Sequence, residues 1–322
     1  MYKIAIIGAG QLGTRHLQGS LKLPMACEIW VVDPSATSLE TARLRATEVA
    51  GADIHTLHFG HDIADIPEAV DYAVVATTST VRFAILQTLL HSHRVRNLIL
   101  EKVLFQDPDH YARALELVEQ HGVRTWVNCT RRTYPIYRKV KAFFEGEDIW
   151  SFTVSGGEWG LGCNAVHFLD LFAYVGRTHI ERIDTAALDT KVIESRRGGF
   201  LEFTGTFRGA SEGVSFEATA KAGSSASLLV QMRSEHRSCL LDESNGVAFF
   251  GDRNERTWVR EEFTIPFLSD VSTGIVADIL EKGESALPTL ADSVSSHLPF
   301  VRALASFAAR HANTPANICP IT

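Results

Sequence analysis

Apolar positions follow two rhythms along this chain. Over the first 125 residues, short apolar runs at 3–7, 28–32, 54–57, 72–77, 97–101 and 124–128 read as strands. Between them, residues 11–23, 38–50, 81–91 and 108–121 carry helical spacing. Strands alternating with helices imply right-handed crossovers and a parallel sheet. Beyond about residue 125 the rhythm changes. Segments 149–156, 183–193, 199–208, 214–220, 227–232, 238–242 and 247–250 mostly alternate apolar with polar residues, divided by Gly, Ser or Asn. That pattern predicts an antiparallel sheet with one covered face. Helices over 270–282 and 290–311 close the chain, the last with an apolar face of Leu298, Val301, Leu304, Ala305 and Ala308.

The predicted class is therefore α/β: an N-terminal doubly wound parallel sheet (residues 1–125), then a C-terminal α+β domain (residues 126–322) with a large, mostly antiparallel sheet. A chain of 322 residues is long enough for two cores. Its formal charge of −7 argues against nonspecific nucleic-acid binding and gives no reason to expect an anionic membrane partner. The five cysteines, Cys27, Cys129, Cys163, Cys239 and Cys319, have no paired spacing and read as reduced thiols. With no apolar stretch of membrane-spanning length, and the first strand starting at once, the cytoplasm is the expected compartment. His55, His58 and His61 resemble a metal set only superficially. No carboxylate falls at zinc-enzyme spacing, so an exposed strand and loop is expected and no metal site.

Candidate chemistry concentrates at the carboxyl ends of the predicted parallel strands, where ligands bind in such sheets. The first strand runs into Gly8-Ala9-Gly10-Gln11-Leu12-Gly13, and Asp33 ends the second strand twenty positions after Gly13. Gly8 suits the tight turn, Gly10 a close approach to a pyrophosphate, and Gly13 helix–sheet packing. The first N–H groups of the helix, from Gln11 and Leu12, then face phosphate charge. A carboxylate at Asp33 accepts ribose hydroxyls and repels a 2′-phosphate, so NAD is expected and NADP is disfavoured. Thr77-Thr78, Glu101-Lys102 and Asn128 occupy the other strand ends.

These segments, taken in order, resemble one family. The glycine turn with Thr14-Arg15-His16, then the run from Asp71 to Thr77, Glu101-Lys102-Val103, Arg131-Arg132 and His167-Phe168-Leu169-Asp170 look like the glucose–fructose oxidoreductase / inositol dehydrogenase / rhizopine catabolism family of NAD(P)-dependent enzymes. The resemblance implies a Rossmann domain, oxidation or reduction at hydroxyl-bearing carbons of sugars and their derivatives, and a homodimer or homotetramer. It assigns Lys102 to the reacting hydroxyl, where an ammonium stabilises a developing alkoxide. His167 becomes the general base, its ordinary pKa of about 6.5 suiting that role, and Asp170 orients the histidine or the substrate. Gly8, Gly10, Gln11, Leu12, Gly13, Asp33, Thr77, Thr78 and Glu101 are the expected cofactor residues.

Two departures shape the expectations. Val103 replaces the family's proline, so a trans turn is expected there. Cys163 replaces an aspartate four positions before His167, with Asn164 beside it, so the substrate pocket differs from that of the inositol and glucose enzymes. Cys163 reads better as a small packing residue than as a nucleophile. Arg131 and Arg132 suit a substrate carboxylate or phosphate, which points to a sugar acid or nucleotide sugar, or else serve the fold. Trp159 either stacks on a sugar ring or fills a crevice. Besides the oxidoreductase reading stand two others: an NAD-binding sensor or regulator without turnover, and an epimerase or glycosidase that recycles its NAD.

Overall fold

The computed structural model describes residues 1–322, which divide into two units. The first comprises residues 1–105, 109–130 and 266–292; the second comprises 106–108, 131–265 and 293–322. The break expected near residue 125 lies a few residues later. Segment 266–292, assigned from sequence to the second domain, belongs to the first.

Six strands form the sheet of the first unit: β1 (Tyr2–Ile7), β2 (Cys27–Val32), β3 (Thr56–Gly60), β4 (Tyr72–Val75), β5 (Asn97–Leu100) and β6 (Arg124–Val127). Their order is β3-β2-β1-β4-β5-β6 and every pairing is parallel. This is the doubly wound order, whose reversal between β1 and β4 creates a ligand crevice at the strands' carboxyl ends. Helices α1 (Gln11–Ser20), α2 (Ala36–Ala46), α3 (Ser79–Ser92) and α4 (Asp109–Gln120) connect the strands. β1, β4 and β5 are almost wholly buried, which explains why they read as continuous apolar runs.

One later helix completes this unit, numbered α7 in chain order (Leu268–Lys282). Its Ile275, Val276, Ile279 and Leu280 share a core with Ile4, Leu17, Leu21, Ile29 and Val74. The approach to α1 is close: a Cβ on Gly19 would stand 2.7 Å from Ser272 Cβ and 2.8 Å from Ser269 O. Thr273 Oγ1 donates to Gly19 O at 2.9 Å across the same contact. Local periodicity finds α7 but not its partner.

The second unit is built on β7 (Ser151–Gly156), β8 (Arg182–Leu188), a short hairpin of β9 (Ile193–Glu194) and β10 (Leu201–Glu202), then β11 (Gly205–Ser211), β12 (Val214–Ala220), β13 (Leu229–Arg233), β14 (Arg237–Asp242), β15 (Val247–Asp252) and β16 (Thr257–Glu262). Eight of these make one sheet in the order β8-β11-β12-β7-β13-β14-β15-β16, antiparallel except where β12 meets β7. Phe152, Phe172, Phe207 and Phe216 pack together under it. Helices α5 (Pro135–Phe143) and α6 (Leu161–Gly176) precede most of these strands. The chain's last helix, α8 (Leu290–His311), places residues 293–311 in the second unit. Sequence patterning misses β16 because it is exposed along nearly its whole length and so shows no buried alternation. No helix is long and apolar enough to cross a membrane.

One expectation on the first unit is corrected. His58 and His61 are exposed, but His55 is buried and its Nδ1 accepts from Cys27 N at 3.3 Å. Burial lowers its pKa, so the ring is carried neutral.

The α1–α7 contact yields a test with a decisive sign. Ala in place of Gly inside a helix normally stabilises by about 1 kcal/mol. Gly19→Ala is expected instead to destabilise the protein by about 1–3 kcal/mol through overpacking against α7, read from urea denaturation.

Candidate functional site

The glycine turn has the shape its residues require. Gly8 adopts a φ of +98°, and a Cβ there would meet the Ala76 carbonyl carbon at 3.0 Å. A Cβ on Gly13 would stand 1.7 Å from Gly8 O, so no other residue fits between turn and helix. Gly10 is different: nothing lies within 4 Å of its notional Cβ. That position is open to an incoming group, and Gly10 and Gln11 are exposed. α1 starts there with no side-chain cap and no acidic residue in its first turn. Its leading N–H groups thus meet the requirements of an anion site at a helix N-terminus.

Asp33 stands beside this turn, half-buried at the end of β2. Its Oδ2 accepts from Ala9 N at 2.7 Å and its Oδ1 from Ser35 N at 2.8 Å. These two bonds fix the carboxylate while leaving lone pairs for ribose hydroxyls. Arg43 leans over the Phe59 ring, 4.2 Å from its centre, and lies 3.6 Å from Glu40. Thr77 and Thr78 follow β4. Thr78 is exposed at the start of α3, and the Thr77 hydroxyl is a buried polar atom without a protein partner. The residues present fit a dinucleotide.

Glu101, expected among the cofactor residues, is 1 % exposed and its carboxylate is an internal anchor. His16 Nε2 donates to its Oε1 at 2.8 Å and Asn128 Nδ2 donates to the same oxygen at 2.7 Å. The three side chains come from α1, the end of β5 and the end of β6, so one buried acid ties the phosphate helix to two strand ends. Burial pushes its pKa up. The His16 bond and the charges of His16, Lys102 and Arg82 outweigh that, leaving the group below the ordinary carboxylate range and ionised. Lys102, half-buried, is the next residue. The Lys102–Val103 peptide bond is cis, correcting the expected trans turn. The carbonyls of Val103 and Leu104 both receive N–H groups of the buried Arg82 guanidinium, which fixes this turn from below.

In the second unit, α6 carries the other candidates. Cys163 and Asn164 lie in its first turn, His167 one turn further, with His167 buried. The helix starts at Gly160 and is capped by a residue that nothing near it in sequence reveals. Glu202, on β10, accepts from Gly162 N at 2.7 Å and from Cys163 N at 3.1 Å. An acid at a helix N-terminus satisfies its free donors and complements its dipole. Asn164 Nδ2 donates to Trp159 O at 2.8 Å, and the Trp159 indole donates to Thr219 O at 2.8 Å with its ring edge-on to Phe168.

Both arginines pair with acids of their own unit. Arg131 makes a two-point bond to Glu243, 3.0 Å at each nitrogen, and lies over the Phe168 ring. The Tyr137 hydroxyl donates to the same carboxylate, and buried Tyr137 is pushed well above its ordinary pKa by burial and by Glu243. Arg132 grips Asp170 in the same fork-to-fork manner, at 2.9 and 2.5 Å. Asp170 is 1 % exposed. Its carboxylate is one half of a buried ion pair with Arg132. Each guanidinium commits its Nε and one terminal nitrogen to a carboxylate of its own unit.

Comparison with known proteins agrees with this geometry. Residues 2–129 match the family GFO_IDH_MocA, described as an oxidoreductase family with an NAD-binding Rossmann fold. A comparison with curated protein sequences gave no match. Among solved structures, an oxidoreductase from Agrobacterium radiobacter in complex with NAD+, L-tartaric acid and magnesium is similar at a TM-score of 0.73. Its identity is 16 %, with 96 % of each chain covered. UDP-N-acetylglucosamine 3-dehydrogenase GnnA from Acidithiobacillus ferrooxidans gives a TM-score of 0.71 at 11 % identity, covering 93 % of this chain and 95 % of its own. The transcriptional regulator Gal80p from Kluyveromyces lactis gives 0.67 at 14 %, covering 91 % and 88 %.

The buried acid at Glu101 generates a stability prediction. Its folded pKa lies below an unfolded value of 4.5, so its contribution is complete above that pH and is lost as pH falls through the folded value. Glu101→Ala is expected to cost about 3–5 kcal/mol at neutral pH, as for one broken partner of a buried pair. The gap from the wild type narrows in denaturation curves taken below about pH 4.

Proposed function

We propose, from the match of residues 2–129 to the GFO_IDH_MocA oxidoreductase family, that this chain is an NAD-dependent enzyme acting on a secondary hydroxyl carbon of a carbohydrate-like substrate. The observation that carries the reading is the cradle at Gly8–Gly13, open above Gly10 and flanked by the fixed carboxylate of Asp33. When bound, NAD supplies the hydride acceptor. The leading N–H groups of α1 hold its pyrophosphate and Asp33 accepts its ribose hydroxyls. Lys102 stabilises negative charge on the substrate oxygen, and His167 takes the hydroxyl proton.

The internal pairing of Arg131 and Arg132 bears on the substrate. With both guanidiniums neutralised by Glu243 and Asp170, the case for a sugar acid or a nucleotide sugar loses its residues. A neutral, hydroxyl-rich sugar or polyol becomes the better substrate class. The same pairing favours a second reading, a dinucleotide-binding regulator without turnover, because it leaves fewer charged groups for chemistry.

Nicotinamide absorbance followed with NAD and a panel of sugars, polyols, sugar acids and nucleotide sugars separates the two. The expected result is reduction with a neutral member of the panel, falling by about 10²–10⁴-fold in Lys102→Met and in His167→Asn. Binding of NADH without turnover of any panel member, and with no new product by mass spectrometry, supports the regulator instead.

A further inference from the structure

The loops that follow β4 and β5 are joined by one buried side chain. Arg82 lies in the first turn of α3 and is 1 % exposed. Its guanidinium donates to Thr77 O after β4, and to Val103 O and Leu104 O (2.9 Å) after β5. We propose that Arg82 is the positioning residue for Lys102: it sets the turn that aims the ammonium and locks that turn to the loop carrying Thr77 and Thr78. The functional meaning of this staple rests on the oxidoreductase reading; the staple itself is a property of the free protein.

The chemistry of the side chain favours this role over simple filling of space. Burying a guanidinium is costly, and an apolar residue of similar volume fills a core at least as well. What only the guanidinium offers is a rigid plane of five donors, able to span carbonyls from two separate segments. Its three acceptors sit in loops 26 residues apart in the chain, just beyond the last rung of the β4–β5 pairing, Glu101 N to Val75 O at 3.2 Å. The Glu101 carboxylate, ionised and in electrostatic contact with both Arg82 and Lys102, balances the charge within the same buried layer. The turn is held further along by Tyr111, whose hydroxyl donates to Phe105 O at 3.0 Å. Successive carbonyls at 103, 104 and 105 are therefore all bonded from beneath, and Lys102 is the residue at the head of this pinned segment.

The test uses Arg82→Met, which removes charge and donors, and Arg82→Lys, which keeps charge but loses the planar fork. Three readouts are taken on the full-length protein: hydrogen exchange of backbone amides, the NMR resonance of ¹³C-dimethylated Lys102 (assigned by its loss in Lys102→Arg), and NADH titration. In Arg82→Met, exchange is expected to rise about tenfold or more at 77–80 and 102–106 while β1 and β2 stay protected. The Lys102 resonance shifts, and NADH affinity drops about tenfold. Arg82→Lys brings the resonance part of the way back, which a role in bulk stability alone would not produce. Should Arg82→Met fail to fold, the same comparison is made between Arg82→Lys and wild type. A folded variant with an unmoved Lys102 resonance, or with exchange raised evenly through the unit, overturns the proposal. Failure of wild-type protein to bind NADH overturns the oxidoreductase reading instead, and leaves the exchange and resonance results to judge the staple.

Discussion

Gly8 and the first turn of α1 are in backbone contact, with no room for a side chain at Gly13. That contact brings the start of the helix to the carboxyl end of β1 and exposes N–H groups that the protein itself leaves uncapped. The rest of the first unit is arranged around them. Asp33 is bonded to the turn, α7 packs behind α1, and His16, one turn along the same helix, reaches the buried acid at Glu101.

Charge placement separates the two units in character. In the first, Glu101 and Arg82 are buried under strand ends and each bonds parts of several elements, so their function is to hold backbone and neighbouring side chains in place. In the second, Arg131–Glu243 and Arg132–Asp170 are ion pairs joined by two bonds apiece. Such pairs confer geometry more than net stability, because desolvation offsets much of their attraction. Under the proposed function this pairing favours a neutral substrate over an anionic one and leaves Cys163, Asn164 and His167 on α6 as its candidate contacts.

The parallel sheet was legible because its strands are buried on both faces and its helices are not, so the two periods separate cleanly. The glycine turn and Asp33 were legible because each residue type answers a local geometric need. Neither applies to Glu202, which caps α6 from 40 residues away, nor to Glu243, whose partner Arg131 lies 112 residues earlier. The sequence does not single out Arg82, since nothing in its neighbourhood announces three carbonyls waiting beneath it. Motif order placed Arg131, Arg132, Asp170 and Glu101 near the chemistry, but pairing partners distant in sequence decided what those side chains are free to do. The placement of α7 failed for the same reason: periodicity predicts a helix and its apolar face, not the surface that covers it.

The central proposal is that α1 and Asp33 together bind NAD in preference to NADP. Titration calorimetry of the full-length protein with NADH and NADPH tests it most directly. The account predicts saturable heat with NADH and binding of NADPH weaker by about tenfold or more, the equivalent of roughly 1.4 kcal/mol. No heat with either nucleotide, or tighter binding of NADPH, would contradict it.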